Sequence, residues 1–180
     1  MRHRANMAKK GEIMVTRYNL RLHLEKDTFK FSCAHFTIFN ATSKEPLHGH
    51  NYRVSLSIGL RDEAFVDIVN FVDVKAILKR LCDDWDERIL IPQASDYVEA
   101  SERDTSIDVV ACGKTYSFPR DETILLDLPN ITAECLAKEL ADRLVSAIRR
   151  KSVPSFLHIH EVEVRVDETD GQGASVRVAF

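Results

Sequence analysis

The sequence predicts an α+β domain: a four-stranded antiparallel sheet, two helices on one of its faces, and a small hairpin inserted between the helices. Three observations carry this. Runs at residues 20–24 with 29–31, 52–60, 158–166 and 175–180 alternate apolar and polar residues, the pattern of strands with one buried face. Two stretches repeat apolar residues at helical spacing, Val74-Ile77-Leu78-Leu81 and Leu136-Leu140-Leu144-Ile148. An antiparallel sheet needs cover on only one face, and two helices can supply it.

Composition narrows the possibilities. With 180 residues, 44% hydrophobic and 29% charged, the chain can build one packed domain and does not read as globally disordered. A formal net charge of −3 gives no basic excess for nucleic acid. No apolar run approaches the ~18 residues of a membrane span, and no signal-peptide core is present. Cys33, Cys82, Cys112 and Cys135 show no Cys-x-x-Cys spacing; they read as free thiols of a reducing compartment, and the expected location is cytoplasmic.

In chain order, residues 1–16 are polar and read as a disordered tail ahead of a single domain at 17–180. Residues 18–35 read as a long hairpin turning at Glu25-Lys26-Asp27-Thr28. Residues 36–46 form a loop rich in turn formers, followed by a strand at 52–60 and a short strand at 64–69. Asn70 is suited to cap a first helix running to about Trp85, with Asp73 complementing its dipole. An insertion at about 97–121 contains a hairpin around Cys112-Gly113-Lys114. Thr132 is the expected N-cap of the second helix, Cys135 joins its buried stripe, and Arg149-Arg150-Lys151 suit its C-terminus before Pro154. The last two strands flank the turn Asp170-Gly171-Gln172-Gly173.

The candidate chemistry lies at Leu47-His48-Gly49-His50-Asn51-Tyr52. His48 and His50 are two apart at the head of a strand, so their imidazoles share a face. If the strand ending at His35 pairs with this one, a third imidazole reaches the same point. Three neutral imidazoles with an open fourth position are the pattern of a catalytic Zn²⁺ site. Ordinary strand histidines are the plain alternative. A cupin also presents His-x-His, but residues 51–58 lack the acid that fold would need.

These motifs together resemble the 6-pyruvoyl-tetrahydropterin synthase family, which includes the 6-carboxytetrahydropterin synthases. The resemblance covers residues 20–180 and rests on Phe31-Ser32-Cys33-Ala34-His35, Leu47-His48-Gly49-His50-Asn51-Tyr52, Val69-Asn70-Phe71, Trp85-Asp86-Glu87, Thr132-Ala133-Glu134 and Asp167-Glu168-Thr169-Asp170. It implies the tunnelling fold, with subunit sheets closing into an oligomeric barrel and trimers stacking into hexamers. It implies zinc on His35, His48 and His50, and a pterin triphosphate substrate held by Glu168 with help near Thr132. Product chemistry then serves pterin, folate or deazapurine precursor synthesis.

Two departures bear on the reaction. The family's usual catalytic cysteine lies four residues before His-Gly-His, where this chain has Lys44. Glu45 stands one residue later, and Glu45-Pro46-Leu47-His48-Gly49-His50 is similar to a branch that yields 6-hydroxymethyl-dihydropterin from 7,8-dihydroneopterin triphosphate. The Asp-His pair expected after the first helix reads Asp86-Glu87. The resulting expectation is a zinc-dependent lyase on which Glu45 is the general base and Asp86 or Glu87 moves the proton onward. A 6-carboxy- or 6-pyruvoyl-tetrahydropterin synthase is the alternative, and a non-catalytic pterin- or purine-binding zinc protein is the alternative of another class. Read plainly, Glu45 is a solvated loop charge, Asp86 and Glu87 are helix-end acids, Glu168 is a turn acid, and Thr132 is a cap.

Overall fold

The structure is a computed structural model and describes residues 20–61, 71–151 and 154–180. The expected tail, the strand at 64–69 and the Asn70 cap lie outside those residues.

The main sheet begins with β1 (Leu20–His35), which runs antiparallel to β4 (His48–Leu60) from Leu20 opposite Leu60 to His35 opposite His48. The expected hairpin at 25–28 is therefore corrected to one long strand carrying a bulge. Glu25 faces Ser55 and Lys30 faces Arg53, so five steps along β1 match two along β4 and three residues are extra. Residues 25–28 lack Gly or Pro, and the long partner strand rewards continued pairing over reversal. An odd number of extra residues reverses the strand's phase. Leu24 points inward before the bulge, and Phe29, Phe31, Cys33 and His35 after it. The bulge thus brings His35 to the face that β4 presents with His48 and His50.

β10 (Ile159–Thr169) pairs with the other side of β4, and β11 (Gln172–Ala179) pairs with β10 across a turn at Gly171, whose φ of 82° suits glycine. These four strands are the antiparallel set that the alternation indicates. The sheet does not stop there. β5 (Arg88–Pro92) lies parallel to β1, and β9 (Thr123–Leu126) parallel to β5. The described residues thus form a six-stranded mixed sheet ordered β11-β10-β4-β1-β5-β9, not a four-stranded one.

α1 (Phe71–Asp83) and α2 (Ala133–Lys151) cover one face. Val74, Ile77, Leu78 and Leu81 of α1, with Leu136, Leu140, Leu144 and Ile148 of α2, pack on Leu56, Ile58, Val162 and Val164. Cys135 sits at the margin of this core, half-buried. Fully burying each such side chain contributes roughly 1.5–3 kcal/mol. The other face is polar and laced with ion pairs among Arg21, Glu161, Glu163 and Arg177.

The insertion is a separate three-stranded sheet: β6 (Val98–Glu102), β7 (Ser106–Ala111) and β8 (Lys114–Pro119). Cys112 and Gly113, at φ 48° and 76°, make its two-residue turn. Val109, Ala111 and Phe118 pack with Phe36, Ile38 and Ile91 in a second, smaller core. That core also steadies a short hairpin, β2 (Ile38–Asn40) with β3 (Ser43–Lys44), which leads into Glu45. Among the described residues no helix is long and apolar enough to cross a membrane.

Candidate metal centre

The site lies where the covered face of the sheet runs past its helices. Opposed pairs step along β1 and β4 as Phe31–Tyr52, Cys33–His50 and His35–His48. The ring centroids of His35, His48 and His50 lie 4.7–5.4 Å apart. Glu168, near the end of β10, projects to the same point. One ligand atom from each of His35, His48, His50 and Glu168 falls within 4.8 Å of the others, and this set could hold a metal ion. Glu168 Oε1 is 3.0 Å from His50 Nε2 and 4.0 Å from His35 Nε2.

The donor chemistry fits a cation. His35 is buried, and burial, followed by the neighbouring His48 and His50, lowers its pKa to about 4. It is therefore a neutral imidazole near pH 7. Its Nδ1 lies 3.1 Å from the Ile131 carbonyl, and His48 Nδ1 lies 2.9 Å from the Pro46 carbonyl. A carbonyl can only accept, so each Nδ1 carries the proton and each Nε2 keeps its lone pair for the cluster. Tyr52 hydroxyl lies 3.0 Å from His35 Nε2 and donates to Glu168 Oε1 at 3.3 Å. Burial and the Glu168 carboxylate hold that phenol well above its ordinary pKa, so it remains a donor.

Glu45 is brought to the cluster from the hairpin side. Its Oε2 lies 3.9 Å from His48 Nε2 and accepts from Thr37 N–H at 3.3 Å, while its own N–H donates to Thr37 O at 2.9 Å. Lys44 does not share the site: its ammonium rests over the Phe36 and Tyr116 rings at 4.3 and 4.9 Å and donates to Glu45 O. Cys33 supplies no substitute for a catalytic thiolate. Burial, then Glu168 and Asp86, push its pKa up to about 12.

The remaining expected residues are less central. Asp86 Oδ1 accepts from Ser32 N–H at 2.7 Å, and Glu87 N–H donates to Ser32 O at 2.7 Å with φ at 57°. Glu87 and His50 line one cavity of about 330 Å³ together with Arg88. Thr132 caps α2: its Oγ1 accepts from Cys135 N–H at 3.4 Å and its carbonyl from Leu136 N–H at 2.9 Å. Two roomier grooves, of about 560 and 580 Å³, lie between the helices and beside Phe156 and Phe180, away from the imidazoles. Volume alone does not make a site, and the convergent polar groups place it at the histidines.

Fold and site define a class: an α+β protein whose sheet end carries three imidazoles and a carboxylate on one point. Residues 24–179 match the family described as 6-pyruvoyl tetrahydropterin synthase, and the chain belongs to that family. A Methanocaldococcus jannaschii protein, provisionally named 6-carboxy-5,6,7,8-tetrahydropterin synthase, is 34% identical over 153 residues, covering 82% of this chain and 89% of that one. The structure of Plasmodium falciparum 6-pyruvoyl tetrahydropterin synthase superposes with a TM-score of 0.81 at 28% identity, covering 90% of this chain and 99% of that one. The Plasmodium vivax counterpart gives 0.82 at 25% identity, covering 91% and 99%.

Proposed function

We propose that this chain is a zinc-dependent lyase acting on 7,8-dihydroneopterin triphosphate, of the 6-carboxy- or 6-pyruvoyl-tetrahydropterin synthase type. The names carried by its relatives support that reaction type. The observation that carries the reading is the convergence of His35, His48 and His50, with the Glu45 carboxylate 3.9 Å from His48 Nε2. Zinc, when bound, supplies a Lewis acid that acidifies the hydroxyl and adjacent C–H groups of the substrate side chain.

The chain's own residues divide the remaining work. His35 and His48, through Nε2, together with His50 would hold the metal. Glu45 takes the proton, its carboxylate oriented by Thr37 N–H. Glu168 grips the guanidine-like edge of the pterin, since a carboxylate accepts two parallel N–H bonds. Thr132, which caps α2, assists Glu168 in holding the pterin. Asp86 or Glu87 passes the proton onward; Asp86 Oδ1 is engaged by Ser32 N–H, which leaves its second carboxylate oxygen for that role.

A second reading, side-chain cleavage to 6-hydroxymethyl-dihydropterin, is favoured by one observation: among the described residues no thiol but Cys33, held protonated by burial, stands beside the cluster, and the Glu45 carboxylate lies 3.9 Å from His48 Nε2. Incubating zinc-loaded protein with 7,8-dihydroneopterin triphosphate and weighing the pterin product decides between them. A carboxy- or pyruvoyl-tetrahydropterin mass is expected; a hydroxymethyl-dihydropterin mass selects the second reading. Unchanged substrate with zinc bound overturns both.

A homo-oligomer belongs to the same proposal. β5 meets β1 only at Cys33 and Ala34 among the described residues, which leaves most of β1 as one free edge and β11 as the other. Unpaired edges of this length favour pairing with further copies of the chain.

A further inference from the structure

We infer that Asn130 is a positioning residue that holds the turn bearing Glu45 and the ring of His35 in one fixed relation. The inference rests on the reading above, in which Glu45 takes the proton and His35 holds the metal. Asn130 lies between β9 and α2, and its side-chain amide makes three hydrogen bonds. Oδ1 accepts from Ile38 N–H at 3.0 Å and from Ile131 N–H at 3.0 Å, and Nδ2 donates to Ile38 O at 2.8 Å. Two N–H groups aimed at one amide atom require that atom to be oxygen, so the orientation is decided by its partners. The amide pairs with both main-chain groups of Ile38, as a neighbouring strand would.

Each end of this clamp is one residue from the site. Thr37, just before Ile38, holds Glu45 by its main chain at 2.9 Å and by its carboxylate at 3.3 Å. Ile131, just after Asn130, presents the carbonyl that accepts a hydrogen bond from His35 Nδ1–H at 3.1 Å. One side chain that approaches neither metal nor substrate therefore sets the distance between the base and a ligand. Ile131 is fully buried and Ile38 nearly so, which makes water a poor replacement for the lost partners. A misplacement of about 1 Å at such a site can cost on the order of 10²-fold in rate.

Asn130→Asp and Asn130→Ala in the full chain test this, read by kcat and KM for the triphosphate and by Co²⁺ binding and its visible spectrum in metal-depleted protein. Asn130→Asp keeps both acceptor bonds but sets a carboxylate oxygen against Ile38 O. It should lower kcat by about 10–100-fold, with KM within about twofold and Co²⁺ binding retained. Asn130→Ala releases Ile131 as well, and should also alter the Co²⁺ spectrum and weaken Co²⁺ binding by about 10-fold or more. Wild-type kcat per folded chain in both variants, with an unchanged Co²⁺ spectrum in Asn130→Ala, overturns the inference. If the wild-type chain itself turns over no pterin triphosphate, the functional reading fails first. The Co²⁺ arm then decides alone, and unchanged affinity and spectrum in Asn130→Ala overturn the role given to Asn130.

Discussion

At the middle of the covered face, β1 and β4 oppose Leu24 to Leu56 and Phe31 to Tyr52; at its end the same two strands oppose Cys33 to His50 and His35 to His48. Strands, face and alternation are shared. What differs is the cover: the middle lies under α1 and α2, and the end lies beyond them. Under the helices every inward position is hydrocarbon or aromatic. Beyond them, inward positions carry lone pairs. Tyr52 belongs to both regions. Its ring stacks on Phe31 at 5.1 Å between centroids, and its hydroxyl reaches His35 and Glu168. The convergent imidazoles thus continue the core's own periodicity rather than interrupting it, with Phe31, Tyr52 and Trp85 packed together between the aliphatic core and the polar cluster.

Substitutions that separate the two regions sharpen this contrast. His50→Ala should lower turnover by about 10³-fold or more and weaken zinc, while stability to urea stays within about 1 kcal/mol. Comparable unfolding of His50→Ala would erase the distinction between the ends. Glu45→Gln should keep zinc and lower kcat by about 10²–10⁴-fold; full turnover with zinc bound removes Glu45 as base. In the core, Leu56→Ala should cost about 2–5 kcal/mol in urea unfolding while the folded fraction still binds zinc. A stable Leu56→Ala protein that has lost zinc would place the site's support elsewhere.

A smaller effect comes from protonation. His35 titrates near 6.5 when unfolded and at about 4 in the fold, because burial disfavours its cation. Between those values the unfolded chain binds the extra proton, so metal-free protein loses stability as pH falls from about 6.5 to 4, by on the order of 3 kcal/mol from this group. The His35→Gln variant should lack this slope; an identical slope assigns it to other residues. Last, Glu168→Gln should retain zinc and raise KM by about 10–100-fold, as expected of a pterin grip. Loss of zinc in that variant would instead make Glu168 the fourth ligand.

The regions also differ in how far the sequence discloses them. His48 and His50 share a face by spacing alone, and the two helical stripes are plain in the residue order. His35 is subtler. The inward phase shifts between Leu24 and Phe29, and a phase break reads as readily as a turn; only the partner strand shows that it is a bulge of three residues. β5 and β9 escape detection for a different reason. Leu90 and Leu126 face the main core while Ile91 and Leu125 face the smaller one, so both sides are buried and no alternation survives. The carbonyls of Ile131 and Pro46 that orient the imidazoles have no side-chain signature. Asn130 belongs to no motif singled out in the sequence, and its partner Ile38 lies 92 residues away.

Zinc titration of metal-depleted wild-type chain, monitored beside His35→Ala, His48→Ala and His50→Ala, bears most directly on the claim that these three imidazoles gather one cation. The account expects one tight equivalent per chain, lost or greatly weakened in each variant. Failure of the wild-type chain to take up zinc, or uptake as tight in all three variants, would contradict it.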